Sequence, residues 1–221
     1  MRQYSILPAP IISLPIVGSD DRYPVRRIYC VGKNYKKHVA EMGGDPKKSA
    51  PVFFTKSRET IVQNGSFIPY PPQTDNLHYE VELVVALKSS TEIFGYGTAI
   101  DMTRRDIQAL AKSKGGPWDM AKNFDQSAPC SALTKIEQAP DLSHAIISLR
   151  KNGLVMQNSC LNHMIWSVEE IIKHLSASVT LGAGDIILTG TPEGVGSVIA
   201  GGTIIGAVEG LASIEVSFTH G

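Results

Sequence analysis

The feature that most constrains this chain is a pair of glutamates at the mouth of an apolar run, Asn76-Leu77-His78-Tyr79-Glu80-Val81-Glu82-Leu83-Val84-Val85-Ala86-Leu87. Val, Leu and Tyr predominate, which predicts a strand, and residues two apart in a strand point to one face, about 6.5 to 7 Å apart at the backbone. Glu80 and Glu82 therefore share a face. Everything after Glu82 is apolar, so the strand runs into a core and carries its carboxylates to the edge of it. Two carboxylates side by side raise one another's pKa unless a cation lies between them, which makes the pair a candidate hard-metal site. Asp101, in Thr98-Ala99-Ile100-Asp101-Met102-Thr103, is the natural third oxygen ligand. Three carboxylates leave about three octahedral positions for water or substrate, the open arrangement of a catalytic Mg²⁺ or Mn²⁺. A strand with a solvated acidic edge would show the same spacing.

A core of that kind needs enough chain to close around it, and 221 residues, 43% of them hydrophobic, suffice for one substantial domain rather than two. Lysine plus arginine equals aspartate plus glutamate at 21 each, which argues against a nucleic-acid or membrane-surface partner. The three cysteines, Cys30, Cys130 and Cys160, are odd in number and lack metal-ligand spacing, so neither a disulfide framework nor a zinc knuckle is indicated and a reducing cytoplasm is expected. The N-terminal run Ile6 to Val17 is broken by Pro8, Pro10 and Pro15 and has no basic leader, so it reads as neither signal peptide nor spanning helix. An extended arm over 1–24 and a single domain over 25–221 are expected.

Val25 to Val31 is a β-type run stopped by Gly32, after which Asn34 is expected to cap a short helix, Tyr35 to Met42, ended by Gly43 and Gly44. On that helix His38 and Glu41 are three apart, hence neighbours on one face. A carboxylate beside a histidine fixes its tautomer and raises its basicity, the composition of a general base with its orienting group. An exposed pair on a surface helix would look the same. The glycine-rich flanks suit a mobile lid.

Pro51 to Lys56 predicts a further strand, and Ser66 to Pro72 an irregular, proline-bounded edge. Thr103-Arg104-Arg105-Asp106 has the form of a capping box and predicts a helix to about Lys114, with Ile107, Leu110 and Ala111 inward and Arg105 and Gln108 on another face that could line the Asp101 cavity. Lys122, in an apolar and aromatic setting, either snorkels to solvent or offers a cation to a developing anion. Asn152-Gly153 predicts a hairpin within Ile146 to Gln157, and Ser167-Val168-Glu169-Glu170 a capping box opening an amphipathic helix. His163 and His174 have no carboxylates around them and read as structural. The loop Thr189 to Gly196 lacks a phosphate-loop ending, but its amides and the Thr191 hydroxyl suit a small carboxylate. Strands at Ile186 to Leu188, Thr203 to Ile205 and Ala212 to Phe218 close a β-rich body.

Taken in order, Tyr29 to Tyr35 with His38 and Glu41, His78 to Leu83, Asp101 to Asp106, Ala121-Lys122 and Gly184-Asp185 to Gly196 resemble the fumarylacetoacetate hydrolase family. The resemblance covers nearly the whole chain from about Tyr23 onward. Within the family it is greatest to the short bacterial acylpyruvate and fumarylpyruvate hydrolases of aromatic degradation, and includes the lead-in Leu14 to Asp20. It implies an α+β, mostly β fold, a mixed β-sheet roll around a central cavity with a few short helices, and a homodimer. It also implies Mg²⁺ or Mn²⁺ on Glu80, Glu82 and Asp101, a lid dyad at His38 and Glu41, a catalytic Lys122, and substrate contacts at Lys33, Arg105, Gln108 and Thr191. Two positions depart from the family pattern, Lys33 where Arg is common and Tyr79 where a second His is common. Lysine cannot grip a carboxylate with the bidentate fork of arginine.

The expected substrate is a small 2-oxo or diketo acid: its 2-oxo acid end chelates a hard cation, which makes pyruvate enolate a tolerable leaving group when water attacks the distal carbonyl. The same site suits decarboxylation or tautomerisation of a 2-oxo diacid such as oxaloacetate. A non-catalytic metal- or ligand-binding protein would keep the carboxylates without needing the dyad or Lys122.

Overall fold

The computed structural model describes residues 4–43, 45 and 50–221. In chain order they form β1 (Ser13–Ile16), β2 (Ser19–Pro24), β3 (Arg27–Gly32), α1 (Lys36–Glu41), β4 (Val52–Lys56), β5 (Ile61–Val62), β6 (Ser66–Pro69), β7 (Leu77–Tyr79), β8 (Val81–Leu87), β9 (Ile93–Ile100) and β10 (Thr103–Arg104). There follow α2 (Arg105–Ser113), α3 (Asp119–Lys122), β11 (Ala128–Pro129), β12 (Thr134–Lys135), β13 (Ile146–Lys151), β14 (Leu154–Cys160), α4 (Val168–Ser176), β15 (Asp185–Leu188), β16 (Gly196–Ser197), β17 (Thr203–Val208) and β18 (Ile214–Thr219). The expected mostly-β architecture with few short helices is the one found.

A six-stranded mixed sheet of order β12-β9-β8-β15-β3-β4 and a five-stranded sheet of order β14-β13-β17-β18-β6 make the body. The core between them joins Val81, Leu83 and Val85 of β8 to Ile147, Leu149 and Ile204, with Ile171 and Leu175 of α4 against it. On the other side of the six-stranded sheet, Val84 and Ala86 meet Ile28, Cys30, Ile186 and Leu188, and the β1–β2 hairpin within residues 1–24 covers them with Leu14, Ile16 and Tyr23. β8 is therefore buried on both faces, which is why it reads as a continuous apolar run.

The run expected as one strand is interrupted at Glu80. Leu77 to Tyr79 belong to a three-stranded sheet of order β10-β7-β16, whereas Val81 onward belongs to the six-stranded sheet. Its partner strand switches at the same level, since His78 faces Thr103 while Val81 faces Ile100. Glu80 and Asp101 sit in this paired crossing, freed from the strict alternation of a ladder.

Three local expectations are corrected. Asn34 does not cap α1; its side chain donates to the carbonyls of Thr189 and Trp166 and accepts from the Trp166 amide, spanning distant segments. Thr103 is paired in β10, so no box caps α2, and Asp106 instead accepts from Thr74 and the Asp75 amide. Leu110, expected inward, is 54% exposed, while Gln108 is buried, because α2 turns its polar face to the interior. Gly44, expected to help end α1, lies outside the described residues. The Ser167–Glu170 capping box and the Asn152-Gly153 turn form as expected.

Candidate active site

The crossing at Glu80 opens into a cleft lined by Lys33, His38, Glu80, Glu82, Arg105, Gln108, Lys122 and Thr191, with Phe54, Trp118 and Met42 as its apolar wall. Asp101 lies beneath it, fully buried, and Glu41 stands behind His38. The expected site residues thus come from the β3–α1 loop, α1, α2, α3, the start of β8, the β7–β8 and β9–β10 junctions and the loop after β15.

Glu80, Glu82 and Asp101 can each bring one carboxylate oxygen within 4.8 Å of the others. The Lys122 ammonium sits among them, 2.7 Å from Glu80 Oε2 and 2.7 Å from Asp101 Oδ2, and Arg105 Nη2 pairs with Glu80 Oε1. Burial works against the charge on Glu80, but Lys122 and Arg105 hold it below the ordinary carboxylate range. Glu82 has no such partner. Burial, then Asp101 and Glu80, push its pKa well above the usual value, although the Gly190 amide donates to Oε2 at 2.7 Å. A cation already stands between two of these carboxylates and the third is short of positive charge, so the donor set fits a hard divalent ion.

Lys122 was open to a snorkelling reading from its sequence setting, yet it is only 3% exposed. Burial opposes its charge, while Asp101 and Glu80 raise its pKa above the normal lysine value.

On α1, His38 Nδ1 is 3.1 Å from Glu41 Oε2, and Glu41 Oε1 accepts from the Gly194 amide at 3.0 Å. Among the described residues Nε2 has no protein partner, so it is the nitrogen available to the cleft. Gly194 itself packs against β14 at φ +90°, where an added Cβ would lie 2.2 Å from the Met156 carbonyl oxygen. Thr191 Oγ1 accepts from Gln157 Nε2 at 2.9 Å. Arg105 Nη1 donates to Gln108 Oε1 at 2.7 Å.

Two supporting residues have no role assigned to them by the sequence. Lys56, at the end of β4 and wholly buried, places Nζ 2.9 Å from Asp101 Oδ1, off the line of a hydrogen bond. Its ammonium also donates to the Met102 and Lys122 carbonyls and to Ser127 Oγ. His78 accepts from Arg105 Nε through Nδ1 and donates to Asn76 Oδ1 through Nε2, contacts that one neutral tautomer satisfies. Burial, then Arg105, push its pKa down to about 4.

A second cavity, about 460 Å³, surrounds the start of α4, but its charged groups, Asp141, Glu169 and Glu170, are all acidic and it holds neither base nor cation.

The family model described as fumarylacetoacetate (FAA) hydrolase C-terminal matches residues 27–219. A fumarylpyruvate hydrolase of Ralstonia sp is 44% identical over 187 residues, 80% of this chain and 96% of that protein. A mitochondrial oxaloacetate tautomerase of Homo sapiens is 40% identical over 199 residues, 86% of this chain and 90% of that one. The crystal structure of fumarylpyruvate hydrolase from Pseudomonas aeruginosa in complex with Mn²⁺ and pyruvate matches with a TM-score of 0.95 and 41% identity, covering 99% of this chain and 100% of that chain.

Proposed function

The chain belongs to the fumarylacetoacetate hydrolase family, and within it we propose that this protein is a hydrolase dependent on Mg²⁺ or Mn²⁺ that cleaves an acylpyruvate to pyruvate and a carboxylic acid. The observation that carries this reading is the tethered His38 beside a carboxylate cluster fit for a metal: its Nδ1 is tied to Glu41 and its Nε2 is left for a proton. Glu80, Glu82 and Asp101 would hold a hard divalent cation, which would supply Lewis-acid polarisation of the 2-oxo acid end when bound.

His38 Nε2 takes a proton from water as its oxygen adds to the distal carbonyl, and Glu41 stabilises the imidazolium that forms. Lys122 and Gln108 stabilise the oxyanion, and Thr191 holds the pyruvate carboxylate. The carbon–carbon bond then breaks, and the leaving enolate of pyruvate takes up a proton. A homodimer is proposed from the family resemblance, and the exposed Leu154, Val155 and Met156 on edge strand β14 offer an apolar contact surface. Cytoplasmic location and a place in aromatic-compound degradation complete the proposal.

The second reading, oxaloacetate tautomerisation, is favoured by the 40% identity to the human tautomerase. It uses the same carboxylates but needs no attacking water. Incubating the Mn²⁺-loaded protein with acylpyruvates and with oxaloacetate, while measuring pyruvate release and loss of the enol absorbance, separates the two. Pyruvate from acylpyruvates is expected; enol loss from oxaloacetate without acylpyruvate cleavage would overturn the hydrolase.

A further inference from the structure

The loop 189–196 carries two buried threonines whose hydroxyls are set in opposite ways. Thr189 Oγ1 donates its proton to the Leu83 carbonyl at 3.2 Å, so that hydroxyl is committed to the core. Thr191 Oγ1 receives a hydrogen bond instead, from Gln157 Nε2 at 2.9 Å, and among the described residues its own proton has no acceptor. Thr191, not Thr189, lines the cleft.

The Gln157 amide has one possible orientation. Its Oε1 faces the Val81 amide at 3.0 Å, which can only donate, and its Nε2 faces the Pro192 carbonyl at 2.9 Å, which can only accept. An N–H and not a lone pair therefore meets Thr191 Oγ1. The threonine must accept on that side and turn its proton elsewhere, and the cleft is the side left open to it. Val81 lies between Glu80 and Glu82, so one buried side chain spans from the carboxylate cluster to the loop that faces it.

The backbone of β14 is shaped around this side chain. Gln157 is wholly buried, although it lies on an edge strand directly after the exposed Leu154, Val155 and Met156. Leu149 of β13 faces Gln157 while its neighbour Arg150 faces Val155, which leaves Met156 as the extra residue of a bulge. Bulges recur beside active sites, where they re-aim a side chain. This one lets Gln157 point inward beneath the loop while the residues before it stay exposed.

We propose that Gln157 is a positioning residue: it turns the Thr191 hydroxyl into a donor for the carboxylate of the 2-oxo acid and fixes the place of that donor relative to Glu80 and Glu82. This rests on the acylpyruvate reading above, in which Thr191 holds that carboxylate. A glutamine that merely satisfied buried groups would add stability and leave the contribution of Thr191 to binding untouched.

The test is a double-substitution cycle on the dissociation constant of pyruvate for the Mn²⁺-loaded protein, read by calorimetry. Gln157→Met, similar in length but without the amide, should raise that constant about 10-fold, the low end for a hydrogen bond to a charged group. Thr191→Val should raise it at least as much. In the Thr191→Val background, adding Gln157→Met should change it less than about 2-fold, because the hydroxyl through which Gln157 acts is gone. In turnover the loss should fall on KM more than on kcat. If Gln157→Met does not fold, Gln157→Glu, which keeps an acceptor for the Val81 amide and puts an oxygen in place of the donor to Thr191, goes through the same cycle. Equal fold-changes with and without the Thr191 hydroxyl, or an unchanged pyruvate affinity in either single variant, overturn the inference alone, whatever urea unfolding shows. A parent protein that neither binds pyruvate nor releases it from an acylpyruvate overturns the acylpyruvate reading and this inference with it.

Discussion

The main-chain amide of Asp101 donates to the Glu80 carbonyl at 2.7 Å. That bond pins two strands where both change sheets, so the backbone sets the separation of two of the three carboxylates before any ion arrives. Removing one carboxylate should therefore weaken metal binding without disturbing the fold. Glu82→Gln is expected to lower Mn²⁺ affinity at least about 10-fold, read from the spin-resonance signal of free Mn²⁺. Chelation should abolish turnover and Mg²⁺ or Mn²⁺ restore it; full activity in excess chelator would remove the metal from the reaction.

His38→Ala should lower the rate constant of acylpyruvate cleavage by about 10² to 10⁴, the usual contribution of a general base, with Mn²⁺ affinity nearly intact. Glu41→Gln should cost less, because it orients the ring rather than taking the proton. Oxaloacetate tautomerisation, if present, should survive His38→Ala better than hydrolysis does. Equal losses of both activities would mean that His38 shapes the site instead of activating water.

Lys56→Met takes a cation from a fully buried place and leaves Asp101 Oδ1, two carbonyls and Ser127 without it. Stripping one partner from a buried ion pair costs about 3 kcal/mol or more, so urea unfolding should shift by that order. A variant as stable as the parent would show that water replaces the ammonium at no cost.

Asp185 receives both Arg26 and Arg27, whose side chains are 46% and 41% exposed. Burial would raise the Asp185 pKa, but hydrogen bonds from the two guanidinium groups outweigh it and hold the value below normal. Because the folded pKa is the lower one, the stabilisation is present above the unfolded value of about 3.9 and is lost as pH falls through the folded value. Asp185→Asn should cost about 2 kcal/mol at neutral pH, discounted for the exposed arginines, and much less at acid pH. A pH-independent difference in unfolding free energy between the two proteins would contradict the assignment.

The apolar frame is legible in the sequence because its signals are local: β8 is buried on both faces, Ser167 and Glu170 cap one another within one turn, and Asn152-Gly153 supplies the positive φ of a tight hairpin. From residues alone, Glu80, Glu82 and Asp101 come together, and so do His38 and Glu41. Helix spacing offers Arg105 and Gln108 to the Asp101 cavity, whereas Lys33, Lys122 and Thr191 join the cluster through the family resemblance, because chain spacing cannot say which distant cation meets which carboxylate. α2 misleads for a physical reason. Apolar spacing identifies the buried face of a helix that packs on a core, whereas this helix borders a cleft and turns Arg105 and Gln108 inward. Lys56 and Asn34 are unreadable in the same way, since each satisfies oxygens or amides far along the chain.

α1 has six residues and no side-chain cap at its start. A helix that short has almost no stability of its own and exists because its neighbours hold it, here through the Glu41–Gly194 bond and the Tyr35–Met164 bridge. His38 is thus carried on a short helix held by its neighbours, next to carboxylates set at the edge of the fully buried β8. Helix and strand then belong to different tiers of local stability. The amides of Val39 and Met42 should exchange with solvent far faster than those of β8, and the difference should narrow when the cleft is filled.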